Sequence, residues 1–559
     1  MHRLIFVAVS TVFATGLQDV PDLILANGKI FSADPPRRWA EALAIRGERI
    51  TAIGSSQEVL ALAGPSTRKI DLRGRTVIPG INDAHQHQGS NPATAVFLEF
   101  KGRPYEPNGW EALSWEEVLS ALGEAVPKAP KGGIMIFGII GATILDEPRA
   151  TRFELDRVAP DHRVILFAWT DHDEILNTAA MRALGVAEDE PDVLGGFVYR
   201  LPGKQTVTGR LGEQAHWRVL RRIGEAIPPE RAVADLRAFA VEAAQFGITS
   251  IQVMSALPPE RYLDHLRTAD LPIRMRLMRF LTTDTHGRNP REGAGLPVHP
   301  TPRVTISGSK WVLDGTPIER RALLRASYSD RPGWSGRMNF PEAEIRGMLH
   351  ETIAGRDPLL LHIVGDKTAE IVLKLMEETD PEAHWKGRRV RFEHGEGLTP
   401  DLIPRAAKLG IVMVQNPTHF DLRKLYTKRW GEERLKQFQP MRSILRAGIP
   451  LAIGSDGPMN PYLNVMLATI HPANPAEALT REEAVEAYTR GSAFAEFTET
   501  DKGILAPGKL ADLAVLSQDI FTVPVGDLPK TRSVLTLVGG RIIYDGKVLD
   551  SDANAGFVK

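Results

Sequence analysis

The amino-acid sequence predicts an α/β fold: a (β/α)8 TIM barrel, a β-sandwich formed by both chain ends, and a large insertion after barrel strand 1. Eight strand-like apolar runs, separated in most cases by helix-like stretches, predict the barrel. Short strands with glycine turns at both chain ends predict the sandwich. A tract over about residues 95–230 that fits no single barrel unit predicts the insertion. The eight runs are 77–85, 247–253, 273–278, 304–310, 359–362, 389–394, 411–415 and 451–456.

The first residues have the pattern of a secretory signal. Arg3 precedes a largely apolar stretch over residues 4–13, and the small residues Ala14, Thr15 and Gly16 follow it. A buried first strand is the alternative interpretation. We predict a signal peptide over residues 1–18, and therefore a secreted or periplasmic protein whose mature form has no membrane span.

The two chain ends are predicted to form one sandwich. Residues 19–78 contain short apolar runs on either side of an Asn27-Gly28 turn, and residues 505–559 contain the runs 512–516 and 535–544. Neither end is large enough to enclose a stable sheet core by itself. Packing the two ends against each other solves this problem, so we predict one sandwich domain.

Residues 79–504 are predicted to form the barrel domain. Leu236, Phe239, Ala240 and Ala243 follow helical spacing before the second run, and similar stretches separate later runs. The insertion over about residues 95–230 would lie on the rim at the carboxyl ends of the strands. Barrels vary their loops at this rim to set specificity.

Composition restricts the kind of function. The chain has 559 residues, of which 43% are hydrophobic and 25% are charged, which is ordinary for a globular protein. The net charge of −1 gives no indication of nucleic-acid binding. Cysteine is absent, which excludes disulfides, thiolate ligands and a cysteine nucleophile. Any metal ion would therefore be held by His, Asp, Glu or a modified Lys.

Residues that can bind a cation stand at the ends of five of the eight runs. Because the carboxyl ends of barrel strands meet at one face, these side chains are expected to converge. Imidazole is a common ligand of zinc and neighbouring metals. Each residue also has a structural alternative: a hydrogen-bonded histidine, a lysine that reaches the surface, or an aspartate that caps a turn. The residues are His85, His87, Lys310, His362, His394 and Asp456.

These residues lie within motifs of a known family. The motifs cover residues 79–87 (Pro-Gly-Ile-Asn-Asp-Ala-His-Gln-His), 308–315, 362–366, 391–395, 415–419, 454–456 and 508–513. On these motifs the chain resembles the amidohydrolase-3 (YtcJ-like) branch of the amidohydrolase superfamily, which includes the N-substituted formamide deformylases. The resemblance runs from residue 22 to residue 545. It implies a metal-dependent barrel with a β-sandwich from both chain ends.

The resemblance also implies roles for the strand-end residues. His85 and His87 match ligands of the more buried metal, and Asp456 matches a residue shared between that metal and proton transfer. His362 and His394 match ligands of a second metal. The cofactor implied is one or two divalent ions, Zn²⁺ or another.

Lys310 matches the position that carries a carbamate in two-metal relatives. A free ammonium repels a cation, whereas a carboxylated lysine is an anion whose two oxygens can bridge two ions. The amine must first become neutral, which burial beside cations promotes.

The insertion and the loops supply further candidates. His172 follows Asp171 where relatives usually have Gly-His, so Asp171 departs from the family pattern. We predict that His172 contacts substrate, and a structural histidine is the alternative. Tyr199 and Glu213 are weaker candidates, and His419 is interpreted as rim structure.

The leading hypothesis is a hydrolase of non-peptide carbon–nitrogen bonds, such as those of N-substituted amides, formamides or cyclic amides. Its partner would be a small-molecule substrate, with no nucleic acid, and the sequence leaves a homodimer open. The metal would activate water, and Asp456 would accept its proton. Two alternatives stay open: a secreted binding protein that has lost turnover, and a metal-assisted isomerase, hydratase or decarboxylase.

Overall fold

The structure is a computed structural model that describes residues 20–89, 96–97, 113–140, 146–168 and 170–549. The predicted signal peptide over residues 1–18 and Trp169 lie outside the described residues. No helix among the described residues has both the length and the apolar character needed to cross a membrane.

Eight parallel strands form the central sheet, and their order in the sheet follows their order in the chain. The backbone N–H of Asp456 donates to the carbonyl oxygen of His85 at 3.0 Å, which brings the last strand back to the first. The predicted barrel is thereby confirmed. Its strands are β1 (Ile81–Gln86), β2 (Ile248–Ser255), β3 (Arg274–Phe280), β4 (Val304–Val312), β5 (Leu359–Ile363), β6 (Arg391–His394), β7 (Val412–Gln415) and β8 (Leu451–Ile453).

Amphipathic helices cover the outside of the barrel. The helix Pro229–Gln245 starts at a proline, whose missing N–H costs nothing in the first turn, and buries Leu236, Phe239, Ala240 and Ala243. The other helices of the barrel region are Pro259–Ala269, Glu342–Ala354, Asp366–Thr379, Glu382–Lys386, Ile403–Lys408, Arg423–Trp430, Glu432–Leu435, Met441–Arg446, Pro461–Ile470, Arg481–Glu486 and Ser492–Ala495.

The first predicted run, 77–85, is two strands in two different sheets. Thr76–Pro79 pairs with strands from both chain ends, whereas β1 starts at Ile81. Gly80 stands at the change of sheet, where its N–H donates to the carbonyl oxygen of Asp512 at 2.9 Å. A Cβ at this position would lie 2.2 Å from Thr249 Oγ1, so only glycine fits without a local shift.

Both chain ends contribute to a β-sandwich, as predicted. Apolar side chains from both ends, including Leu25, Ile45, Leu513 and Leu537, share one buried cluster. One sheet has the order Arg541–Asp545, Ser533–Val538, Leu513–Leu516, Thr76–Pro79, Lys29–Phe31 and Trp39–Ala40, and the other has the order Arg49–Gly54, Ala42–Arg46, Leu23–Ala26 and Arg68–Asp71. The helix Ser56–Leu60 packs beside the second sheet.

The insertion after β1 has a sheet and apolar clusters of its own. Its strands, in sheet order, are Gly196–Arg200, Val207–Glu213, Asp173–Leu176, Arg163–Ala168, Ile134–Ile139 and Val96–Phe97. Its helices are Trp115–Ala125, Arg152–Val158, Thr178–Ala183 and Gln214–Ala226. The turn before Asp173–Leu176 brings His172 to the barrel, with its ring 5.0 Å from that of His362. The insertion therefore contributes a wall to the barrel mouth.

Candidate metal centre

A cavity of about 450 Å³ lies at the carboxyl ends of the barrel strands. Five of the six predicted ligands line it, and His85, which is only 1% exposed, lies beneath them. Because parallel strands of a barrel end at the same face, residues far apart in the sequence meet here. The five lining ligands are His87, Lys310, His362, His394 and Asp456.

A buried carboxylate fixes the orientation of His85. The His85 Nδ1–H donates to Glu393 Oε2 at 2.6 Å, which places the lone pair of the ring on Nε2, 3.3 Å from His87 Nε2. Arg391 donates to Glu393 Oε1 at 2.7 Å. Burial alone would raise the pKa of Glu393, but Arg391 and His85 hold it well below its usual range. The negative charge of Glu393 therefore persists in the protein interior and holds the ring of His85 in place.

The sequence does not predict this role of Glu393, although Glu393 stands next to His394 in the motif over residues 391–395. Its partner His85 is 308 positions away, and cross-barrel packing of this kind leaves no local signal in the sequence.

The carboxylate of Asp456 lies at the centre of the histidines. Oδ1 is 3.6 Å from the Nε2 atoms of both His85 and His87, and Oδ2 is 3.6 Å from His394 Nδ1. Possible ligand atoms of His85, His394 and Asp456 lie within 4.8 Å of one another. Asp456 has φ 40°, which is uncommon for a residue other than glycine and is typical of functional sites.

His394 lies between the two predicted ligand groups. Its ring is 4.8 Å from that of His85 and 4.4 Å from that of His362. Its Nδ1–H donates to Asn416 Oδ1 at 2.8 Å. The family resemblance groups His394 with His362. In the structure His394 lies about as close to His85 and Asp456 as it does to His362.

The donor set fits a divalent cation such as zinc. The buried His362 Nε2 has no hydrogen-bond partner among the described residues, and a buried polar atom normally has one. Burial lowers the pKa of His85 to about 4 and puts that of His362 and His394 well below the usual range. Neutral imidazoles offer lone pairs to a metal, and together with a carboxylate they form a typical zinc ligand set.

Lys310 lines the same cavity as the histidine ligands and is 1% exposed. Burial lowers the pKa of its ammonium to about 8, despite the opposing effect of Glu393 and Asp456. The neutral amine that carboxylation requires is therefore more readily formed near neutral pH than in an exposed lysine.

His419 lies inside the cavity rather than only on its rim. Its Nδ1 pairs with the buried Glu396, and its Nε2 is 3.3 Å from Asp456 Oδ2. Burial alone would lower the pKa of His419, but Glu396 and Asp456 raise it to about 10. His419 is therefore an imidazolium that donates to Asp456. Its position just after the run 411–415 was the sequence signal for this role.

His172 lines the cavity and is held from behind. Its Nδ1 is 3.0 Å from Glu213 Oε1, and Arg321 and Asn339 bind the same carboxylate at 3.1 and 3.0 Å. Burial alone would lower the pKa of His172, but Glu213 raises it above the ordinary value. Tyr199 accepts from Arg321 at 2.5 Å, so it supports this network rather than the cavity wall.

The chain is similar to several known proteins. The model of a family described as the amidohydrolase family matches residues 68–544. Protein LONG AFTER FAR-RED 3 of Arabidopsis thaliana is 27% identical over 552 residues, covering 94% of this chain and 92% of the relative. An N-substituted formamide deformylase of Arthrobacter pascens is 25% identical, covering 94% and 98%. The crystal structure of an uncharacterized metal-dependent hydrolase of Pyrococcus horikoshii has a TM-score of 0.68 at 24% identity, covering 90% and 99%.

Proposed function

This chain belongs to the amidohydrolase family, as its motifs predict, and from that premise we propose that it hydrolyses carbon–nitrogen bonds other than peptide bonds. N-substituted amides, formamides and cyclic amides are the substrate class. The observation that carries the proposal is the group of His85, His394 and Asp456 beside a cavity of about 450 Å³. A relative with 25% identity is an N-substituted formamide deformylase, which supports this bond class.

We assign the metal ligands as follows. His85, His87, His394 and Asp456 would hold one divalent ion, and His362 with Lys310, if it is carboxylated, would help to hold a second. His394 is close enough to both groups to serve either ion. The bound metal would polarise the scissile carbonyl and lower the pKa of the attacking water.

Asp456 is the proposed general base. Burial alone would raise its pKa, but His85, the hydrogen bond from His419 and His394 hold the pKa of Asp456 well below its usual range. Its carboxylate is therefore ionised and accepts a proton as water adds to the carbonyl carbon. The same proton then passes to the leaving nitrogen when the carbon–nitrogen bond breaks, which yields an amine and a carboxylate.

Two cavity histidines would assist. His419 donates to Asp456 Oδ2, which directs the other oxygen, Oδ1, towards His85 and His87. His172, whose pKa is raised by Glu213, would in its imidazolium form donate to the oxygen that gains negative charge during the addition of water. Both roles use side chains that are positioned before substrate binds.

The test is metal analysis combined with a substrate panel. We expect the purified protein to hold one or two divalent ions per chain and to release an amine from at least one N-substituted formamide, amide or cyclic amide. Chelation should abolish the activity, and added Zn²⁺ should restore it. Protein without bound metal would favour a binding protein, whereas bound metal without carbon–nitrogen hydrolysis would favour an isomerase, hydratase or decarboxylase.

We also propose that the protein is exported, on the basis of the signal-like pattern over residues 1–18. Intact-mass measurement of exported protein from the native host should give a chain without the first residues to about Gly16. An exported chain that retains Met1 would contradict cleavage.

A further inference from the structure

We propose that Asp171 binds a positively charged nitrogen of the substrate, so that the enzyme favours substrates with an ammonium or similar cation beside the scissile group. Asp171 lines the same cavity as the ligands, and it reaches the cavity from the insertion. The inference rests on the proposed function for its substrate class. The cation site itself can be tested without turnover.

The backbone around Asp171 is held rigidly in an uncommon conformation. Asp171 has φ 60°, in the left-handed region that favours glycine. Its N–H donates to the carbonyl oxygen of Ala168 at 2.8 Å, and its own carbonyl accepts from Trp217 Nε1 at 2.8 Å. Left-handed residues also occur at Glu213, His394 and Asp456, so such conformations recur around this cavity.

A buried pair of residues holds the Asp171 carboxylate from behind. His216 Nε2 donates to Asp171 Oδ1 at 3.2 Å, and His216 Nδ1 lies 3.2 Å from Glu174 Oε2. His216 and Glu174 are completely buried, whereas the side chain of Asp171 is 18% exposed. Among the hydrogen bonds of the described residues, only Oδ1 of Asp171 is used. The geometry leaves Oδ2 for a ligand.

Asp171 is the member of this group that presents a negative charge to the cavity. Burial alone would raise the pKa of Asp171, but the hydrogen bond from His216 holds it below its usual value, so the carboxylate is ionised at neutral pH. Glu174 is completely buried and does not line the cavity, and burial raises its pKa. Arg321 binds both neighbouring carboxylates, Asp173 and Glu213, whereas no arginine among the described residues binds Asp171.

The remaining cavity wall suits a cation better than an anion. Among the described residues that line the cavity, none is an arginine. Besides Asp171, the acidic and histidine side chains outside the metal centre are already paired: His419 with Glu396, and His172 with Glu213. A substrate carboxylate would therefore find no guanidinium partner away from the metal. Trp217 and Phe280 also line the cavity, with ring centroids 5.2 Å apart, and aromatic rings attract cations.

The test compares two probes of similar size. Benzylamine is a cation at pH 7, whereas benzyl alcohol, which has nearly the same size, is neutral. We expect calorimetry to show that the wild-type holoprotein binds benzylamine about tenfold more tightly than benzyl alcohol. Asp171→Asn and Asp171→Gly both tolerate a left-handed backbone. Each should remove this preference while binding of benzyl alcohol changes little.

Thr170→Val is the matched control, because it alters the adjacent cavity residue and keeps the carboxylate. It should retain the preference for benzylamine. Equal binding of the two probes by the wild type, or an unchanged preference in both Asp171 variants, would overturn the inference. If the cation preference is absent but N-benzylformamide is hydrolysed, the proposed function is retained and the cation site is rejected. If no carbon–nitrogen substrate is hydrolysed but the preference depends on Asp171, the cation site stands and the proposed function fails.

Discussion

Asp456→Asn should lower kcat by about 10²–10⁴-fold while the metal content stays near that of the wild type. The substitution keeps the size of the side chain and one oxygen that can bind a metal. It removes the negative charge that would accept a proton from water. The Asp456 carboxylate lies 3.3–3.6 Å from nitrogen atoms of four histidines. No other carboxylate among the described residues has four histidines around it.

Asp83→Asn is a matched control for this variant. Asp83 is buried close to Asp456, but its Oδ1 accepts from the backbone N–H groups of His85 and Ser455 at 3.1 and 2.9 Å. Asn keeps an Oδ1 acceptor for both N–H groups, and burial raises the pKa of Asp83 to about 6, so this substitution should cost little stability and leave kcat of the metal-loaded protein nearly unchanged. If Asp456 only capped a turn, its variant would likewise keep kcat, with a stability loss of about 1 kcal/mol. Measuring kcat, metal content and melting temperature for both variants separates these roles.

The sequence predicts the general position of the site because of how barrels are built. Runs that end in His85, Lys310, His362, His394 or Asp456 are parallel strands, so their ends meet at one face. That argument uses only strand identity and strand direction. It does not require knowledge of side-chain contacts.

Contacts across the barrel could not be predicted in this way. The pairs His85–Glu393 and His419–Asp456 depend on which side chains face inward at the same height. Pro79-Gly80 visibly interrupts the run 77–85, but the sequence does not show that its two halves lie in different sheets, because both halves are buried strands. The contacts of His216 with Asp171 and Glu174 join a helix to a strand of the insertion. They could not be predicted, because the strand order of the insertion does not follow the chain.

His85→Ala should remove metal and activity together. His85 is the ligand candidate whose orientation is most completely fixed, because it is 1% exposed and bound to Glu393 at 2.6 Å. Glu393→Gln should weaken metal affinity about 10–100-fold, since it loosens the ring without removing the ligand. His85→Ala should exceed that range, and elemental analysis with kcat/KM would give both values.

His265→Ala tests whether loss of any buried histidine has the same effect. His265 is 4% exposed on the helix Pro259–Ala269 and does not line the cavity. Its variant should lower the melting temperature but keep its metal, so that metal loss in His85→Ala cannot be attributed to general destabilisation. Full metal content in a folded His85→Ala protein would show that other residues hold the ion. In that case Glu393 would orient a histidine that binds no metal. The graded order of wild type, Glu393→Gln and His85→Ala is therefore the expected sign of a metal ligand supported by a buried carboxylate.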